Sequence, residues 1–298
     1  MRGLEKLRGS FVALITPFKR DGSIDDDALK ELVEWHIAEG TDGIVPCGTT
    51  GESATLTHDE HNHVVELVVK QVAKRVPVVA GAGSNSTDEA IRLTNFASKV
   101  GADFVLSITP YYNKPTQAGL IEHFQAIEHA SNIPIILYNV PGRTCVNMLP
   151  PAVAACASHQ KIVGIKEATA NLEQISEVIA TTPREFVVLS GDDFTILPTL
   201  AIGGKGVISV TANVAPRLNA ELIRAWEAGD TERAKKIHYA MLPLAKALFA
   251  ETNPIPVKAA VARLGKCQKI VRRPLTQATQ ATQKKVDEAI ATLEKFQS

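Results

Sequence analysis

The 298 residues carry 45% hydrophobic and 21% charged side chains, ordinary globular proportions that exclude a disordered or fibrous chain and allow one large α/β barrel or two ordinary domains. Lys plus Arg and Asp plus Glu each total 32, so no net field draws nucleic acid or an acidic membrane surface, and neither is expected as a partner. Cys47, Cys145, Cys156 and Cys267 show no zinc spacing, charges interrupt residues 1–7, and no apolar stretch reaches about 18 residues, so we expect a cytoplasmic protein with reduced thiols and neither signal peptide nor membrane span.

Short apolar, β-rich runs recur along the chain at 11–17, 43–47, 76–80, 104–109, 133–138, 162–165, 186–189 and 206–210. Their mean spacing of about 28 residues is that of a strand, a helix and two loops. The runs lack clean alternation, as parallel strands buried on both faces do. Helix starts lie between them: Thr57 with Glu60, and Ser86 with Glu89, have capping-box spacing ahead of amphipathic segments. The first run is followed by Phe18, Lys19, Arg20, Asp21 and Gly22, without the glycine fingerprint of a dinucleotide fold. Eight alternations therefore predict a (β/α)8 TIM barrel over residues 1–229. Beyond Gly229 the strand signals stop, and 230–298 reads as a C-terminal helical domain, with helices at 231–248 and 278–296 and a turn at Asn253, Pro254, Ile255 and Pro256.

In such a barrel the chemistry belongs at the C-terminal strand ends. Gly48, Thr49, Thr50 and Gly51 follow strand two, and two glycines around two hydroxyls suit either a small-anion cradle or a plain turn with a hydroxyl cap. His58 and His61 lie three apart at the start of the next helix and could face a ligand, although on helical spacing alone a solvated face explains them better. Tyr111 and Tyr112 follow strand four, and Tyr138 ends strand five ahead of Asn139 and Arg143. A phenol can relay a proton and a guanidinium can clamp a carboxylate. Each tyrosine alone is also an ordinary amphipathic rim residue.

Strand six ends Ile162, Val163, Gly164, Ile165, Lys166 and Glu167. Taking an ammonium out of water is costly, and an amine so placed can attack a carbonyl to give a Schiff base, although a strand-end lysine can also snorkel to solvent or pair with its neighbour. Since strands four to six are adjacent in a barrel, Tyr112, Tyr138 and Lys166 are expected to converge on one mouth, with Glu167 turned the other way along the pleat. An amine nucleophile, a phenolic acid/base and an anion cradle are the parts of a class I aldolase-type lyase acting on a 2-oxo acid. The eight histidines form no metal-ligand pattern, so no metal is expected, and Gly203, Gly204, Lys205 and Gly206 precede strand eight and read as a turn.

With Gly48 to Glu52, Tyr138 to Thr144 and Gly164 to Ala168 in this order and spacing, the chain resembles the dihydrodipicolinate synthase and N-acetylneuraminate lyase superfamily along essentially its whole length. Tyr111, Tyr112, Asn113 and Arg143 look like the synthase branch. The resemblance implies that Lys166 condenses with pyruvate, that Thr49 and Thr50 hold the pyruvate carboxylate, and that Gly191 and Ile208 line its site. It implies a proton relay through Tyr138, Thr49 and Tyr112, the last reaching in from a neighbouring subunit of a homotetramer built as a dimer of dimers. Arg143 would receive L-aspartate 4-semialdehyde, and no cofactor is required. Ser53, Ala54, His58, His61, Asn85, Glu89 and Tyr111 match the position of an L-lysine inhibitory site found in some members. Another pyruvate-dependent aldolase of the same superfamily and a non-catalytic ligand-binding homologue stand as the alternatives.

Overall fold

A computed structural model describes residues 4–297. Eight strands form at β1 (Gly9–Ala13), β2 (Gly43–Val45), β3 (Val79–Gly81), β4 (Phe104–Ile108), β5 (Ile135–Asn139), β6 (Ile162–Glu167), β7 (Val187–Ser190) and β8 (Gly206–Ser209). They follow the order β2-β1-β8-β7-β6-β5-β4-β3 in one parallel sheet with helices between them, the succession of the expected (β/α)8 barrel. Every predicted run overlaps its strand. At the third the start moves inward, because Pro77 supplies no N–H and the strand begins only at Val79.

The chain forms two compact units, Pro77–Ile208 with the residues up to Gly9, and Ser10–Val76 with the residues from Ser209 on. In the first unit β5 is buried throughout, as is β6, so unbroken apolarity is what their environment demands. Their pairing shifts by one residue: Ile135 lies opposite Ile162, yet Ile136 lies opposite Gly164. This bulge has a direct effect on the site. Without it Lys166 would sit level with Asn139, and with it Lys166 pairs with Tyr138, so that both side chains leave the sheet on the same side. Glycine is required at 164, since a Cβ there would lie 2.5 Å from the Val187 carbonyl oxygen.

In the second unit, helix His58–Val72 starts on the expected capping box, Thr57 Oγ1 accepting from the Glu60 amide at 3.2 Å and Glu60 Oε2 accepting from the Thr57 amide at 2.9 Å. The second expected box does not form. Ser86 caps helix Thr87–Val100 without a side-chain bond, because Glu89 instead accepts a short hydrogen bond from the Ser84 hydroxyl. The C-terminal helices Thr231–Leu248 and Gln280–Gln297 match their predicted spans. Between them lies a further helix, Ile255–Arg263, where only a turn was expected. Its proline falls in the first turn, a position that needs no amide donor, so Pro256 begins a helix that it seemed to interrupt. Among the described residues no helix is long and apolar enough to cross a membrane.

Candidate active site

Lys166 is 6% exposed at the C-terminal end of β6, and its Nζ lies 4.2 Å from the centroid of the Tyr138 ring. Tyr138 is equally buried, so amine and phenol share one largely dry environment. Gly191, just past β7, leaves room for the lysine: a Cβ on it would stand 3.0 Å from both Cγ and Cε of Lys166. Its amide donates to the Glu167 carbonyl at 2.7 Å, and the Ala168 amide donates to the Asn139 carbonyl at 2.9 Å, which ties the three strand ends together. Ile208 is buried within β8.

Glu167 does turn away from Lys166. It is fully buried and accepts from Asn139 Nδ2 at 3.0 Å, the Thr169 amide at 3.0 Å and Gln174 Nε2 at 3.4 Å. Burial pushes its carboxyl up, and the bonds from Asn139, Thr169 and Gln174 pull it back down. Asn139 Oδ1 in turn accepts from the Met148 amide at 3.0 Å, so this polar cluster fixes the backbone on the outer side of the same two strand ends.

The loop after β5 carries Arg143, exposed on the short helix Pro141–Thr144. Thr144 is buried beside it, accepting from Thr109 Oγ1 at 3.4 Å and lying 3.0 Å from the Val146 carbonyl oxygen, so the loop is anchored at its base. Tyr112 behaves differently. Its backbone has φ 71° and its side chain is 91% exposed, so the expected convergence with Tyr138 and Lys166 does not occur within one chain. A left-handed residue turns the ring outward, which no periodicity foretells.

In the other unit, Thr49 and the buried Thr50 follow β2 in a turn closed by the Gly51 amide on the Gly48 carbonyl and the Glu52 amide on the Thr49 carbonyl, both at 3.1 Å. Thr50 Oγ1 accepts from Asn253 Nδ2 at 3.0 Å. Ser53 and Ala54 lie on the following 3₁₀ turn, with His58 exposed and His61 buried on the next helix. Of the other residues matched to an effector site, Asn85 accepts from Asn113 Nδ2 at 2.9 Å through its carbonyl. Partial burial, and then the Glu89 carboxylate, push the phenol of Tyr111 up, although its side chain is 38% exposed. Sequence reasoning missed Asn253 and a fully buried lysine, Lys258, which pairs with Glu52. The signal was there, a lysine inside the apolar run 255–262, but the prolines ahead of it directed attention to a turn. Among the described residues no group of three or more His, Cys, Asp or Glu is placed to hold a metal ion.

Eight parallel strands with a lysine buried beside a tyrosine at the C-terminal end of the sixth define a (β/α)8 protein equipped for amine-nucleophile lyase chemistry. The comparisons with known proteins make this particular. A family model described as the dihydrodipicolinate synthetase family matches residues 6–293, and the chain belongs to that family. It is 58% identical, over 95% of its length and 97% of the relative's, to the 4-hydroxy-tetrahydrodipicolinate synthase of Thermodesulfovibrio yellowstonii. Among solved structures it resembles dihydrodipicolinate synthase from Aquifex aeolicus, with a TM-score of 0.94, 51% identity and 98% of each chain covered. Two others have a TM-score of 0.95: the chloride-inhibited Acinetobacter baumannii enzyme complexed with pyruvate, at 42% identity with 97% of this chain and 99% of that one covered, and the Cyanidioschyzon merolae enzyme with lysine bound, at 39% identity and the same coverage.

Proposed function

We propose that the chain condenses pyruvate with L-aspartate 4-semialdehyde to form 4-hydroxy-tetrahydrodipicolinate. The observation that carries this reading is the buried Lys166 amine 4.2 Å from the Tyr138 ring on paired strand ends. The amine adds to the pyruvate ketone and water leaves, giving a Schiff base. Loss of a methyl proton gives an enamine, whose carbon attacks the aldehyde. The amino group of the second substrate then displaces Lys166 from the imine carbon, closing the ring and freeing the enzyme.

Tyr138 moves the protons, with Thr49 and Tyr112 completing the relay, and Thr49 and Thr50 hold the pyruvate carboxylate. Gly191 and Ile208 line the space around it, and Arg143 takes the carboxylate of the aldehyde. The outward ring of Tyr112 supports a homotetramer, a dimer of dimers in which that residue serves a neighbouring subunit. The pyruvate complex of the Acinetobacter baumannii relative and the lysine-bound Cyanidioschyzon merolae relative support the substrate and an L-lysine inhibitory site at Ser53, Ala54, His58, His61, Asn85, Glu89 and Tyr111. The four free thiols support a reducing, cytoplasmic setting.

Borohydride reduction in the presence of pyruvate is expected to leave one adduct, on Lys166, and Lys166→Ala to abolish turnover with the fold intact. Tyr138→Phe is expected to slow turnover strongly. A chain that traps no pyruvate would overturn the reading, and one that traps it but prefers another aldehyde would move the substrate assignment within the superfamily. An initial rate unchanged by millimolar L-lysine would remove the inhibitory site.

A further inference from the structure

We propose that Lys258, acting through Glu52, is a positioning residue that fixes the turn carrying Thr49 and Thr50. The inference rests on the reading that this turn holds the pyruvate carboxylate, and extends it to a segment that touches no substrate.

Lys258 lies on helix Ile255–Arg263 and is 0% exposed. Its ammonium group is occupied in three directions: Nζ stands 2.5 Å from Glu52 Oε1, 2.7 Å from the Ile270 carbonyl oxygen and 3.9 Å from the centroid of the Phe18 ring. A buried amine so surrounded is an anchor, and its surroundings separate it from Lys166, which stands over a phenol ring with its stem packed against Gly191.

Glu52 is the point at which that anchor takes hold. Its backbone is left-handed, with φ 56° and ψ 35°, a conformation that a non-glycine residue keeps only where neighbours enforce it. Here the enforcement is visible. Oε1 meets Lys258, Oε2 accepts from the Arg272 amide at 2.9 Å, and the Glu52 amide closes the turn on the Thr49 carbonyl. Arg272 grips the stretch beyond as well, donating from Nη1 to the Thr55 carbonyl at 2.8 Å and pairing with Glu60 at 2.5 Å.

Asn253, just ahead of the same helix, reaches the same turn. Because Asn253 Nδ2 donates to Thr50 Oγ1, the hydroxyl oxygen is used as an acceptor and its one proton is left to donate, as an incoming carboxylate requires. The segment from 253 to 272 thus sets both the backbone of the turn and the direction of one of its hydroxyls.

The test uses the full chain and the pyruvate concentration that gives half-maximal borohydride trapping. Lys258→Met alone would strand a buried carboxylate, so the pair Glu52→Gln with Lys258→Met, which keeps the interior neutral, is the principal variant. Folded by its melting transition, it is expected to need about tenfold more pyruvate, with the KM for the aldehyde within about twofold of wild type. A purely structural role would lower the amount of folded protein without moving the pyruvate curve. Trapping at wild-type pyruvate concentrations in the folded variant overturns the proposal. Should the double variant fail to fold, Glu52→Gln alone decides, with about a threefold rise supporting the proposal and an unchanged curve overturning it. Wild-type protein that traps no pyruvate would remove the aldolase reading, a result distinct from equal trapping by both proteins.

Discussion

Replacing Gly191 by alanine would set a methyl carbon 2.7 Å from Cβ of Ala168 and 3.0 Å from Cγ and Cε of Lys166. Non-bonded carbons settle at about 3.5–4.0 Å, so the shortfall is about 0.5–1 Å at the lysine carbons and about 0.8–1.3 Å at Ala168. The backbone has little freedom to relieve it, because the Gly191 amide is held on the Glu167 carbonyl and the Ala168 amide on the Asn139 carbonyl. The flexible lysine yields at its own two contacts, while the Ala168 contact, which no side-chain torsion relieves, loads the backbone. Overpacking of this kind costs about 1–3 kcal/mol of stability, and each kcal/mol lowers Tm by about 2–4 °C in a chain of this order of size. The catalytic effect is larger, since a displacement of about 1 Å at a reacting group costs roughly 10²-fold. Calorimetry would give the first quantity, and the rate of borohydride trapping with pyruvate the second. If Gly191→Ala trapped pyruvate at the wild-type rate, the argument that this glycine makes room for Lys166 would be wrong.

Glu167→Gln replaces one acceptor oxygen by an NH2, which then faces either the Thr169 amide or the Asn139 and Gln174 side-chain amides donor to donor, and should cost about 1–3 kcal/mol, seen as a lower urea midpoint with unchanged slope; an unaltered midpoint would contradict the network. Burial pushes His36 down to about 3 and His123 down to about 4, so the native state keeps both neutral while the unfolded chain protonates them near 6.5. Their stabilisation is whole above about pH 6.5 and drains as the pH falls towards 4 and then 3, so equal urea midpoints at pH 7 and pH 5 would count against it. Glu60, whose carboxyl is held near about 2 chiefly by the Arg272 guanidinium, adds a separate loss between about pH 4.5 and 2. Thr57→Ala removes one half of the capping box and should destabilise by about 1 kcal/mol in denaturant titrations, no change meaning that the helix start is held elsewhere.

The strands were legible because strands buried on both faces leave no room for alternation, and the strand-end rule then isolated Lys166 and Tyr138. Their pairing was not, since it depends on a one-residue bulge beside Gly164 that depends in turn on how close β7 approaches. Tyr112 was found as a residue and misplaced as a side chain, because a single left-handed φ decides its direction. Lys258 was passed over although it sits in an apolar run as Lys166 does. The difference lay in its flanks: prolines that open a helix resemble those that end one, and a partner as distant in sequence as Glu52 leaves no local trace.

The contacts of Thr50 with Asn253 and of Glu52 with Arg272 join residues 203 and 220 positions apart. During synthesis from the N-terminus, the turn bearing Thr49 and Thr50 is therefore made long before the residues that tether it. A growing chain that already holds Lys166 and Tyr138 still lacks the contacts that fix this turn, which can form only once residues 253–272 have been made.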